Sequence, residues 1–86
     1  MTKHEIAMEL ATLKLRYADG LVPLMGVFPV TKEDIEYREV VGKLIDKGYL
    51  YYMYDEVTDD EGIVHGFKRG YRLTVKAHKL LEEKAK

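Results

Sequence analysis

The chain contains no cysteine and no serine. Without cysteine there is no disulfide framework and no thiolate metal site, so stability has to come from packing. Without serine, one whole class of hydrolases loses its nucleophile. No Gly-rich phosphate loop follows a strand-like run, and no nucleophile elbow is present. The pattern therefore points away from an enzyme and away from any cofactor. Charge of one sign is also missing. The formal net charge is −1 over 86 residues, far from the strongly basic balance that marks many nucleic-acid binders. The longest apolar run, residues 21–30, is too short to cross a bilayer and is broken by Pro23, Gly26 and Pro29. The N-terminus is polar, with an acid by Glu5, unlike a signal peptide. No membrane association and a cytoplasmic location are expected.

What is present is a hydrophobic fraction of 47% with 34% charged residues. That balance suits one small globular domain over residues 1–86 with a single core. Ile6, Leu10, Leu13 and Tyr17 recur at helical spacing, with Ala7 and Ala11 beside them, and predict a helix over residues 2–18. Thr2 with Glu5 forms a capping box, and Asp19-Gly20 ends the helix. The proline-bearing run 21–30 reads as a buried connection with one helical turn around residues 23–26. An exposed apolar patch that binds a partner is the alternative. Thr31 opens a second helix over 31–47, with Glu33 and Asp34 where the helix dipole favours acids. Tyr37, Val40, Val41, Leu44 and Ile45 form its apolar face. Lys32, Glu36, Glu39, Lys43 and Asp46 lie opposite, with Arg38 and Lys47 at the margins. Gly42 in mid-helix marks a close approach of another element, because glycine there otherwise only costs stability. Gly48 supplies the left-handed residue that stops the helix.

The next stretch alternates differently. Residues 49–58 are rich in tyrosine, Asp59-Asp60-Glu61-Gly62 is a turn, and residues 63–73 return as a second strand. Phe67, Tyr71 and Leu73 share one face, with His65 and Arg69 of the same parity toward a solvated end. Lys68, Gly70 and Arg72 point the other way. Gly66 and Gly70 suggest a bulge or bend. Tyr49, Tyr51, Tyr52 and Tyr54 cannot all be core, since neighbours face opposite ways, so one pair is the more exposed and offers a self-association surface. Thr74 caps a last helix over 74–85, with Ala77, Leu80, Leu81 and Lys84 on one side.

This α+β order resembles a winged-helix domain. Val41, Leu44, Gly48 and Leu50 look like the end of a recognition helix entering a wing. Tyr71-Arg72-Leu73-Thr74 with Ala77 and Leu80-Leu81 is similar to the Y-x-L-T-x-x-G-x-x-L-L signature of MarR-like and PadR-like transcriptional regulators. Ala77 replaces that signature's glycine, the tip is acidic, and the proline-bearing run stands where a helix is usual. The resemblance implies a DNA-binding transcriptional regulator with double-stranded DNA as partner, acting as a homodimer. The second helix would enter a major groove and the wing would touch phosphates. Arg38, Lys43, Lys68, Arg69 and Arg72 are the candidate contacts, with Lys76 and Lys79 extending a basic edge. A protein-binding adaptor of the same fold is the alternative, suggested by the balanced charge and surplus tyrosines. His4, His65 and His78 lack metal-ligand spacing and read as surface residues. The acids at positions 55, 56 and 59–61 lack the ligand alternation of a calcium loop and read as a solvated turn.

Overall fold

A computed structural model describes residues 1–25 and 31–85. Its elements are α1 (Lys3–Arg16), α2 (Lys32–Asp46), β1 (Leu50–Thr58), β2 (Val64–Leu73) and α3 (Val75–Ala85). The fold is α+β, with three helices and an antiparallel two-stranded hairpin. Among the described residues no helix is long and apolar enough to cross a membrane.

The helices begin where side chains satisfy their free backbone N–H groups. Thr2 and Glu5 form a reciprocal capping box on α1, and Thr31 and Asp34 form another on α2. The Thr74 hydroxyl accepts from the Ala77 N–H at 3.3 Å at the start of α3. α1 ends in a tight reversal. Gly20 takes φ +80, and the Asp19 carboxylate accepts from the Leu21 N–H at 3.1 Å. The chain then runs extended into Val22, which exchanges both backbone hydrogen bonds with Tyr71, each 2.8 Å. The connection therefore meets the outer edge of β2 through a single bridge at Val22. Residues 23–25 are not helical, and the last residue of the expected turn, Gly26, lies with residues 27–30 outside the described residues. Val22 is buried, Leu21 and Met25 are half-buried, and Pro23 and Leu24 are exposed, so only part of the described connection is core. The Tyr37 hydroxyl donates to the Pro23 carbonyl and pins this segment to α2. Burial there, helped by Tyr17 and Tyr71, pushes the Tyr37 phenol up to about 12.

One core joins everything at the base of the hairpin. Ile6, Ala7, Leu10 and Leu13 come from α1, Val41 and Leu44 from α2, and Ala77 and Leu80 from α3. Val22, Tyr49, Leu50 and Leu73 close it from the hairpin side. Leu10 and Leu44 are completely buried, and each contributes about 2 kcal/mol by leaving water. Ala11 falls outside this core and is exposed.

Glycines decide the local packing in two places. Gly70 lies beneath the crossing connection, and a Cβ there would sit 2.6 Å from the Val22 carbonyl oxygen and 2.7 Å from Leu21. Its role is this close approach, not a bend. The irregularity lies further out, where Val57 pairs with Gly66 but Thr58 pairs with Val64, leaving His65 as the extra residue. Gly42 does not mark a close approach, since a Cβ there would meet nothing within 4 Å. Opposite outcomes follow for one substitution at two sites. Gly70→Ala is expected to cost about 2 kcal/mol through overpacking, and Gly42→Ala to gain up to about 1 kcal/mol in helix propensity. Urea unfolding checks both as shifts in midpoint at unchanged slope.

Candidate nucleic-acid interface

Two parts of the molecule stand clear of the core: the outer face of α2 and the distal hairpin. α2 buries Val41 and Leu44 and half-buries Tyr37, Val40 and Ile45, which leaves Lys32, Glu36, Arg38, Glu39, Lys43 and Asp46 exposed. Arg38 and Lys43 are thus both on the surface of one rigid helix. Their neighbours Glu33, Asp34, Glu36, Glu39 and Asp46 outnumber the helix's cations, so phosphate attraction along α2 is weak as a sum of charges.

The hairpin projects as a ribbon in which no residue from Tyr54 to Arg69 is buried. Register fixes its faces. Leu50 pairs with Leu73, Tyr52 with Tyr71, Tyr54 with Arg69 and Glu56 with Phe67 on one face. Tyr51 pairs with Arg72, Met53 with Gly70 and Asp55 with Lys68 on the other. Beyond the core the first face is held by rings. Tyr54 and Phe67 stack with centroids 5.1 Å apart, the Arg69 guanidinium sits 5.3 Å over the Tyr54 ring, and Tyr52 meets Tyr71 edge-on at 6.3 Å. Such pairs contribute roughly 0.2–1 kcal/mol each, which sustains a ribbon that has left its core. Phe67 shares a face with Tyr71 and Leu73 but lies too far along the ribbon to be covered. The tyrosine alternation also resolves unevenly. Tyr49 is buried, whereas Tyr51, Tyr52 and Tyr54 are all exposed, on both faces.

The expected basic edge is divided by this geometry. Lys68 and Arg72 share one face, and Arg69 is on the other. Arg72 is half-buried, and its guanidinium reaches the Asp19 carbonyl at 3.4 Å, tying β2 to the end of α1. Lys76 donates to the Lys47 carbonyl at 2.7 Å and lies 4.5 Å from the Tyr49 ring centroid. It closes the end of α2 across 29 residues of sequence, a favourable place for a cation. Arg72 and Lys76 therefore serve the scaffold, and of the five candidate contacts Arg38, Lys43, Lys68 and Arg69 are exposed.

At the ribbon's end one acid, Asp59, is structural. The Asp59 carboxylate accepts from the Glu61 and Ile63 N–H groups, both at 2.9 Å, and its other oxygen lies 2.7 Å from His65 Nε2. Gly62 takes φ +82 to complete the turn. Sequence spacing alone missed the Asp59–His65 pair, because the bulge at His65 sets its direction. His4, His65 and His78 are all exposed, and among the described residues no group of three or more His, Asp or Glu could hold a metal ion.

No family model, no curated protein and no solved structure matches the chain.

The Asp59 carboxyl is held below its ordinary value, first by His65 and then by the Ile63 N–H. A depressed folded-state pKa means that the order it confers is present above the ordinary carboxylate range and is lost as pH falls through the lowered value. Amide shifts of Glu61 and Ile63 followed by NMR are expected to move with a midpoint below the ordinary aspartate value. A midpoint at that value would remove the assigned role of Asp59.

Proposed function

We propose that the chain is a small winged-helix DNA-binding protein of the transcription-regulator kind, related in architecture to the MarR-like and PadR-like domains. α2 serves as the groove helix and the β1–β2 ribbon as the wing. The observation that carries this reading is the Val22–Tyr71 bridge. It lays the run after α1 against the edge of the sheet, where the first strand of a winged helix lies, with α2 the one helix among the described residues between it and the hairpin. α2 has the length and exposure to lie in a major groove about 12 Å wide. Lys68 and Arg69, on opposite faces of the ribbon, are exposed for phosphate contact, while Arg72 positions the strand that carries them.

A second reading is favoured by a separate observation: the ribbon exposes Tyr51, Tyr52, Phe67, Ile63 and Val64. An exposed apolar surface of this kind suits a protein partner, and an adaptor of the same fold would need no DNA.

Duplex binding measured across salt distinguishes the two. Four surface cations predict a slope of log affinity against log salt of about −3.6, and Lys43→Ala or Lys68→Ala each reduces its size by about 1. Arg72→Ala is expected to lower thermal stability instead, with the slope preserved. Absence of duplex affinity even at low salt would overturn the DNA reading and leave the adaptor.

A further inference from the structure

The two edges of the ribbon are built differently. The outer edge of β2 is guarded at every level: Val22 covers Tyr71, His65 bulges out of register, two glycines interrupt the strand, and Lys68, Arg69 and Arg72 charge it. These are the devices that prevent a strand edge from pairing. β1 has the opposite character. From Leu50 to Val57 it runs in unbroken register without proline, glycine, lysine or arginine, Asp55 and Glu56 are its only charges, and among the described residues it pairs only with β2.

We propose that this open edge is the seat of a second copy of the chain, with β1 pairing antiparallel to the partner's β1 to form a four-stranded sheet. Charge fixes both the occupant and the register. Full overlap of the nine-residue strand places Tyr54 opposite the partner's Tyr54. Asp55 then faces the partner's Met53 and Glu56 faces the partner's Tyr52, so no like charges meet. Thr58 falls opposite the partner's Leu50, and the acidic turn Asp59-Asp60-Glu61 continues past it to the partner's Tyr49. Beside Tyr49 is a groove of about 390 Å³ lined by Lys3, Lys76 and Lys79, with Glu83 the single acid. Each copy thus carries an acidic tip on one end of β1 and a lysine-lined seat at the other. Antiparallel pairing joins them twice across a two-fold axis. The same contact sets the partner's β1 side chains beside the exposed tyrosines on both faces of the sheet. This inference does not depend on whether DNA is bound.

The absence of native cysteine makes the test direct. Residues opposite one another in an antiparallel pair have Cα atoms about 4.5–5.5 Å apart, within disulfide range, whereas Tyr51 and the partner's Tyr51 would be roughly 20 Å apart. Sedimentation equilibrium of the full chain is expected to show a dimer. The Tyr54→Cys variant should cross-link on mild oxidation and Tyr51→Cys should not, with circular dichroism confirming that both are folded. Asp60→Lys and Lys79→Glu should each weaken the dimer, and the double variant should restore it. A monomer at sub-millimolar concentration would overturn the proposal. So would equal cross-linking at positions 51 and 54, or a dimer lost only on Leu15→Glu, which would place the contact in the apolar groove between α1 and α3 lined by Met8, Ala11, Leu15 and Leu81.

Discussion

Thr74 holds three elements together with one residue. Its hydroxyl donates to the Gly48 carbonyl at 2.7 Å and accepts from the Ala77 N–H, while its own N–H donates to the Tyr49 carbonyl at 3.0 Å. The end of α2, the root of β1 and the start of α3 therefore meet in a single hydrogen-bonded knot. Gly48 at φ +81 turns the chain out of the helix so that the Tyr49 N–H returns to the Leu44 carbonyl at 2.8 Å. Lys76 adds a cation over the same helix end. Beneath the knot, Leu44, Tyr49, Leu50, Leu73 and Ala77 are all buried. The polar links set angles that the apolar packing then fixes.

Two different kinds of support follow along the ribbon. At its root the strands are part of the core, and the Val22 crossing over Gly70 leaves no room for even a methyl group. Further out the core ends, and stability passes to cross-strand pairs: ring on ring, guanidinium on ring, Asp55 opposite Lys68. The tip closes on the Asp59 carboxylate, which supplies the acceptors for the turn's own N–H groups. A ribbon built this way is self-supporting and keeps large apolar side chains in water. That exposure is a cost unless something covers it, and the unguarded edge of β1 shows where covering is easiest.

Much of this was legible in the sequence where the chemistry is local. Thr2 with Glu5, Thr31 as the start of α2, Gly48 and Gly62 each act within a few residues, and each stands where its local pattern placed it, while the Asp34 side of the second capping box reads in the sequence only as an acid at the helix start. Helix and strand limits fall within a residue or two of the pattern for the same reason. What was not legible depends on partners far along the chain. Arg72 reaches a carbonyl 53 residues away and Lys76 one 29 residues away, so both looked like surface cations for a phosphate edge. Gly70 looked like a bend because the segment crossing it comes from the far side of α2 in sequence. Gly42 looked like a contact point, yet no neighbour comes near it. His65 lies at a solvated end as expected, but it is the extra residue of the bulge, so alternation does not fix its direction.

The central claim is that α2, the ribbon and α3 form one cooperative unit locked at Thr74. Residue-resolved hydrogen exchange on Thr74→Val tests it most directly. Loss of the cap and of the bond to Gly48 is expected to lower stability by about 2 kcal/mol. On this account protection falls together at Tyr49, at Ala77 and in the last turn of α2. Loss of protection confined to the first turn of α3 would contradict it, and would mean that the helix and the ribbon are positioned independently.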